Sequence, residues 1–572
     1  MLLIWDAFAD NLLKAWERVA FWRNPAPALP NMRLSPRNGD ENPLMVQFFT
    51  WDCSHPHMSW WKHFESEVPN LAALGVTQVW LPPPNKAMRK EGQGYDAYDL
   101  WDLGEFYQKG TIATRWGTKE ELAKAVSVAN AHGIDVLVDA VLNHKLGADR
   151  PEKFMAVPVD PNNRLKDLGP AREIEAKTFN PLSYGAPLIC ISRGGLRSIF
   201  SGAETSSLKW THEHFTGLDW DHRTRAKGVY RIAGPNHQGW SRWVDTELGN
   251  YDYLLGIDID HRHPDVRKDL LDWGTWVLQT TGGAGFRLDA IKHMDRRFLL
   301  NFIKHVREKL DRNDLFSVAE YWSSNVELIK PYIRSFEGLV TFFDVPLHYN
   351  FHEASKAGSR YDLRKIFDNT ILKYRPGDAV TFVDNHDTVT ARHIPAPAFE
   401  LTVPLRSKSD KRWKAGNFKL QAYALILLYG EGHPCVFYGD LYPNRECYDE
   451  NVAQGLRRLM DARRKFAYGQ RTDYFQQVNC VGFLRKGDGS RGGCAVLVSN
   501  ADCPEKQEGA GAGQTPTHTI RMDVGLDNVN AKYRSLFHPE GTVVQPGSDG
   551  WASFTCPLGG VQVWVKDIDV DS

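Results

Sequence analysis

Short apolar runs recur along the chain between Leu44 and Asp440, and stretches with helical spacing separate them. The runs are LMVQFF (44–49), VTQVWL (76–81), IDVLVDAVL (134–142), AGFRLD (284–289), LFSVAE (315–320), LVTFF (339–343), AVTFVD (379–384) and HPCVFYGD (433–440). Their length and their β-branched and aromatic content read as buried strands. Between the second and third runs, Thr118 and Glu121 form a capping-box pattern. Leu122, Val126 and Ala129 then make one apolar stripe, and Gly133 supplies the stop. Strands alternating with helices pair in parallel, and eight of them close a (β/α)8 TIM barrel, an α/β fold. A doubly wound open sheet is the competing architecture, but no phosphate-binding Gly-rich turn supports it.

Two intervals break this rhythm. About 140 residues separate the third run from the fourth, too many for a crossover helix, so a subdomain is inserted after the third strand. After about residue 468 the pattern becomes short alternating strands, among them VGFLRK, CAVLVSN and VQVWVKD, split by the glycine-rich loop Gly509 to Gly513. That reads as a C-terminal antiparallel β-sandwich domain. At the other end, Leu2, Trp5, Phe8, Leu12, Trp16 and Val19 recur at helical spacing. Such a helix is expected to pack on its own protein; peripheral membrane contact is the lesser reading. A Pro-rich linker, Asn24 to Pro43, follows it. The expected division is 1–41 for helix and linker, 42–144 and 262–467 for the barrel, 145–261 for the insert, and 468–572 for the C-terminal domain.

Composition narrows the function. A net charge of -1 gives no footprint for nucleic acid or another acidic polymer. The eight cysteines contain no C-x-x-C pair, which excludes zinc ribbons and thioredoxin-like redox motifs. Cys435 and Cys494 sit in apolar runs and read as core thiols. Asp6 and Asp10 interrupt the first segment, so it does not read as a signal peptide. There is no Asn-x-Ser/Thr sequon and no apolar stretch long enough to span a membrane. A soluble cytoplasmic protein is expected. The 19 tryptophans suit a large core or flat sugar-binding faces equally well.

The charged residues cluster at the C-terminal ends of the runs, where barrels carry their reactive groups. They are Asp139 with Asn143 and His144, then Arg287 and Asp289, then Glu320, then Asp384, His386 and Asp387. One aspartate at a strand end is ordinarily a helix cap. Four such ends meeting at one mouth, with histidines and an arginine, point to chemistry. Two carboxylates across a sugar bond are the minimum for glycoside hydrolysis. Arg287 and Asp289, two apart on a strand, share a face, and the positive charge favours the ionised carboxylate.

Four of these stretches, DAVLNHK (139–145), GFRLDAIKH (285–293), VAEYW (318–322) and FVDNHDT (382–388), resemble the signature segments of the α-amylase family, glycoside hydrolase family 13. GVTQVWLPPP (75–84), GYDAYDLWDLGEF (94–106) and HPCVFYGD (433–440) add to the resemblance, which covers roughly residues 42–572. It is strongest to the liquefying bacterial α-amylases and suggests an intracellular, fungal-type member. It implies Asp289 as nucleophile, Glu320 as general acid/base and Asp387 as a third carboxylate gripping the sugar hydroxyls. Arg287 would hold the nucleophile ionised, His144 and His386 would hydrogen-bond the same ring, and Tyr95 would stack on it. Lys292 and His293 would meet the sugar on the leaving side.

The resemblance also implies one structural Ca2+ on Asn143, Asp252, Asp258 and the main-chain carbonyl of His293, all oxygen donors as a hard cation needs. The liquefying enzymes hold a second, multi-ion cluster. Aligned on DWD (219–221) and GNYDY (249–253), three of its carboxylate positions fall on Thr216, Ser241 and Arg262, so a single calcium is expected. The implied activity is that of a monomeric, retaining, endo-acting α-amylase on α-1,4-glucans or malto-oligosaccharides. A 4-α-glucanotransferase would use the same three carboxylates. An inactive sugar-binding or scaffold protein is the reading of another class, and the presence of all three acids counts against it. Two departures stand out: the N-terminal helix, and a longer segment over 389–417 carrying Arg406, Lys408, Lys411, Arg412 and Trp413.

Overall fold

The structure is a computed structural model. It describes residues 25–36, 42–179, 189–192, 195–198, 206, 208–389, 418–488, 490–502, 516–538 and 540–567. The expected N-terminal helix, all of the 389–417 segment but Val389, and the loop 509–513 lie outside the described residues.

Each of the eight apolar runs supplies one strand of a closed barrel. The strands are β1 (Met45–Gln47), β2 (Gln78–Trp80), β3 (Asp135–Ala140), β4 (Gly285–Leu288), β5 (Phe316–Ala319), β6 (Thr341–Phe343), β7 (Ala379–Phe382) and β8 (His433–Phe437). Each pairs in parallel with its sequence neighbours, and β1 closes the ring against β8. A long helix follows each strand: α1 (Trp60–Ala73), α2 (Lys119–Ala131), α3 (Pro264–Thr281), α4 (Arg296–Leu310), α5 (Val326–Ser335), α6 (Val345–Ala357), α7 (Lys419–Leu428) and α8 (Glu450–Phe466). Helices outside and side chains inside bury every strand residue, which is why the runs are mostly apolar. The capping box of α2 forms as its sequence predicts, and Gly133 takes the left-handed backbone (φ 79°) just past the end. Gly285 has a different reason: a Cβ there would lie 2.1 Å from the Phe316 carbonyl oxygen, so only glycine lets β4 approach β5.

Besides a separate two-stranded sheet, the insert carries a seven-stranded one. Its edge strand His144–Lys145 pairs antiparallel with Ile257–Ile259, setting His144 beside Asp258. The insert is thus fastened within a few residues of where β3 ends. At the C-terminus a five-stranded and a two-stranded antiparallel sheet enclose their own core, in which Ile520, Met522 and Phe554 meet Leu484, Leu497 and Trp564. The larger sheet packs on α7 and α8. No described helix is long and apolar enough to cross a membrane.

The Pro-rich stretch behaves differently from a free linker. Over residues 25–36 it lies along the N-terminal ends of the barrel strands. The Ala28 N–H donates to Asp378 Oδ1 (2.8 Å), and Arg33 forks the Asp135 carboxylate (2.9 and 3.0 Å). Leu29 and Met32 are buried. Two apolar residues and the barrel-floor carboxylates make this strap adhere where proline content alone suggests a spacer.

Inside the barrel, His433 opens β8 fully buried and donates from Nε2 to Gln78 Oε1 (2.7 Å). Burial, with the Arg463 charge adding, pushes its ring down to about 3. The folded state therefore holds a neutral ring, whereas the unfolded chain takes up a proton near the ordinary histidine value. The stability this contributes is present above about pH 6.5 and is lost as pH falls toward 3. Urea unfolding across that window should show a loss of up to about 4 kcal/mol from this ring, which His433→Gln removes. An unchanged pH slope in the variant would contradict it.

Candidate active site

The C-terminal rim of the barrel is organised around one side chain. Arg287, on β4 and 1% exposed, donates from Nη1 to Asp289 Oδ1 (2.6 Å) and Asp139 Oδ1 (2.9 Å). Its Nη2 donates to Glu320 Oε2 (2.6 Å), which also accepts from the Ala290 N–H (3.3 Å). The other Asp139 oxygen accepts from the Tyr95 hydroxyl (2.7 Å) and Trp80 Nε1 (2.9 Å). One guanidinium thus joins the ends of β3, β4 and β5.

Three carboxylates share this cation, and that sets the electrostatics. Burial pushes the Asp289 carboxyl up, with Asp139 and Asp387 adding to the rise, and Arg287 is the chief influence drawing it down. Asp139 is likewise raised by burial against the pull of Arg287. The sequence expectation is that arginine favours the ionised Asp289, and the Arg287 contribution has that sign. Arg287 acts in that direction but divides its charge, and burial outweighs it.

Above this floor lies an aromatic layer. The His386 ring is parallel to Tyr95 (centroids 5.1 Å apart) and to Trp51 (6.0 Å). Gln47 Nε2 donates to His386 Nδ1 (3.0 Å), so the proton of the neutral ring sits on Nε2. That nitrogen lies 3.9 Å from Asp387 Oδ2. Asp387 follows β7 on a turn whose N–H groups bond to Asn385 Oδ1. His144 donates from Nε2 to the Tyr95 carbonyl (2.8 Å), and burial pushes its ring down to about 4, so it is neutral. Lys292 reaches Glu247 of the insert (2.7 Å) and the Trp322 carbonyl (3.3 Å). His293 is buried and donates from Nδ1 to the Tyr251 carbonyl (2.8 Å). It therefore fastens the insert to the barrel.

Three of the four sequence-nominated metal ligands also meet. Asn143, Asp252 and Asp258 are buried at the junction of insert and barrel. Asn143 Nδ2 donates to Asp258 Oδ1 (3.3 Å), while its Oδ1 is buried without a hydrogen-bond partner. Burial pushes Asp252 up to about 7, with Asp260 and Asp295 adding to the rise. Burial raises Asp258 well above the carboxylate range, and the Asp252 charge adds to it. Two buried carboxylates and an orphaned amide oxygen form a donor set that suits calcium.

The three replaced positions behave otherwise. The Thr216 hydroxyl donates to Asp258, and Ser241 Oγ donates to Asp295 (3.2 Å). Arg262 forks Asp260 (2.7 and 2.9 Å). Here a side-chain cation stands among the carboxylates. A further group, His214, His263 and Asp265, has donor atoms within reach of one ion. The Nδ1 atoms of both rings accept backbone N–H groups, from Thr211 (3.0 Å) and Asp265 (3.3 Å). With Nδ1 accepting, the uncharged form of either ring would carry its proton on Nε2, so neither offers a metal a free lone pair.

The sequence reading did not single out Gln47, Trp51, Trp80 or Glu247. Gln47, Trp51 and Trp80 lie at or just beyond the ends of β1 and β2, a placement that could have nominated them. Nothing in the sequence links Glu247 to Lys292, 45 residues away.

A closed parallel barrel with this rim of carboxylates is the scaffold of a glycoside hydrolase, and sequence comparison bears that out. The family described as "Alpha amylase, catalytic domain" matches residues 61–176 and 219–451, and the chain belongs to it. It is 38% identical over 532 residues to the glucan 1,4-alpha-maltohexaosidase of Bacillus sp. (strain 707), covering 92% of each chain. It is 37% identical to the alpha-amylase of Bacillus licheniformis, covering 92% of this chain and 94% of that one. It is 36% identical to the cytoplasmic alpha-amylase of Escherichia coli (strain K12), covering 92% and 99%. The solved alpha-amylase of Geobacillus thermoleovorans, complexed with acarbose, shares the fold at TM-score 0.55 and 17% identity, covering 93% of this chain and 99% of that one.

Proposed function

We propose that the protein is a retaining, endo-acting α-amylase that cleaves α-1,4-glucosidic bonds in starch, glycogen or malto-oligosaccharides. The observation that carries this reading is the single Arg287 guanidinium shared by Asp139, Asp289 and Glu320. One positive charge among three buried carboxylates leaves the cluster short of cations, so it retains a proton. Glu320, held at Oε2 by Arg287 and the Ala290 N–H, is the general acid/base. Asp289, paired with the guanidinium, is the nucleophile.

The steps follow. Glu320 gives its proton to the glycosidic oxygen as the bond to the anomeric carbon breaks, and Asp289 attacks that carbon to form a glucosyl ester. Glu320, now ionised, takes a proton from water, whose oxygen displaces Asp289 and restores the original configuration. Asp387 and the protonated Nε2 of His386 bind the ring hydroxyls. Tyr95 offers its face to the sugar, and His144 lies beside it. Lys292 and His293 border the leaving side. The residues are complete within one chain, which supports a monomer. The relative named a cytoplasmic alpha-amylase supports a cytoplasmic location.

Asn143, Asp252, Asp258 and the His293 carbonyl would hold one calcium. Bound there, it would neutralise two buried carboxylates and pin the insert against the ends of β3 and β4. Arg262 in the neighbouring carboxylate group supports one ion rather than a cluster.

Asp289→Asn and Glu320→Gln should each lower turnover at least about a thousandfold while the protein stays folded. Maltoheptaose should give only shorter products, the first of them as the α-anomer by proton NMR. Products longer than the substrate would indicate a transferase, and an initial β-anomer would exclude retention. Metal analysis should find one calcium per chain. Chelation should lower melting temperature and activity together, and calcium at a hundred times its Kd should restore about 2.7 kcal/mol. Indifference to a strong chelator would overturn the site.

A further inference from the structure

A second buried cation lies beside the catalytic cluster and takes no part in the chemistry above. Lys419, the first residue of α7, is 8% exposed. Its Nζ lies 3.1 Å from Asp384 Oδ2 and in direct contact with Asp440 Oδ1. The other Asp440 oxygen accepts from the Tyr423 hydroxyl (2.7 Å). Burial would drive the Lys419 ammonium down, but the two carboxylates overcome it and hold it well above the ordinary lysine range.

Asp384 is the hub of the turn after β7. Its Oδ1 accepts from the Asn385 N–H (3.2 Å) and from the Thr388 hydroxyl. Asn385 Oδ1 in turn accepts from the N–H groups of Asp387 (3.0 Å) and Thr388 (3.0 Å). The residues that hold His386 and Asp387 in place are therefore wrapped on one carboxylate, and Lys419 neutralises it. A small cavity beneath the rim is lined by Arg287, Glu320, Asp384 and Asn385 together, so the clamp abuts the catalytic floor.

We propose that Lys419 is a positioning residue for the reaction: clamped between Asp384 and Asp440, it fixes the turn that presents His386 and Asp387 to the sugar. The inference rests on the reading of Asp387 as a substrate-binding carboxylate. Without the ammonium, Asp384 and Asp440 would face each other buried and both negative, and the turn would move to separate them. An error of about 1 Å in a gripping group can cost about a hundredfold in rate. At lower pH Asp440, which burial already raises, can take a proton and relieve that repulsion. The groups facing that pair are Tyr423 and Cys447 on one side and Thr388 with the Arg287 cluster on the other.

The test is Lys419→Met, assayed on maltoheptaose between pH 5 and 8 alongside its melting temperature. Folded variant should show kcat lowered at least about tenfold with KM changed less than about threefold, since the ring is gripped most tightly in its distorted form. Its activity relative to the parent should rise as pH falls. Loss of melting temperature alone, with kcat, KM and pH profile those of the parent, would overturn the proposal. If Lys419→Met does not fold, Asp440→Asn carries the test. It leaves Lys419 and Asp384 charge-balanced but loosens the clamp, and should lower kcat at least about threefold at constant KM; an unchanged kcat overturns the proposal. Asp387→Asn, run in parallel, separates the two readings. If it stays active, the role of Asp387 fails; if it is inactive while the clamp variants behave like the parent, only the role of Lys419 fails.

Discussion

The rim of this barrel depends on a single ionic arrangement: the Arg287 guanidinium bonded to Asp139, Asp289 and Glu320. Removing three carboxylates from water is costly unless each is paired and hydrogen-bonded. The guanidinium achieves this because its fork presents several N–H groups in one plane, so one side chain serves three strands. The arrangement also fixes geometry. Oxygens held at 2.6 to 2.9 Å from one rigid group cannot drift independently, and the reactive atoms are pre-placed by the fold.

The same principle recurs around the rim with other cations. Lys419 stands between Asp384 and Asp440, and Arg262 forks Asp260. Lys86, buried in the long loop after β2, pairs with Asp102 (3.2 Å) and donates to carbonyl oxygens further along that loop. Lys419 and Lys86 join separate segments, and Arg262, two residues from Asp260, does so by donating to the Trp240 carbonyl (3.2 Å). At Asn143, Asp252 and Asp258 the Arg262 charge acts on both carboxylates but burial still raises them, and there the proposed calcium would serve. Burial of like charges thus explains both where lysine and arginine staple the fold and where a metal would.

Much of this was legible in the chain. The eight strands were readable because residues buried on both faces leave unbroken apolar runs, and α2 because its capping box and terminal glycine are local signals. Arg287, Asp289, Glu320 and Asp387 were readable because each follows an apolar run at the end where barrels open. What stayed hidden depends on contacts between distant segments. The strap at Leu29 and Met32 looked like a linker, since proline content says nothing of the carboxylates awaiting it on the barrel floor. Gln47 behind His386, Glu247 beside Lys292 and Lys419 beneath Asp384 carry no motif of their own. The division of the Arg287 charge among three partners also needs the third dimension.

The most direct test is Arg287→Lys, which keeps the positive charge but loses the fork. If three carboxylates must be held by one planar group, kcat on maltoheptaose should fall at least about a hundredfold in a protein that still folds. A variant turning over at close to the parent rate would show that charge alone suffices, and would contradict the account.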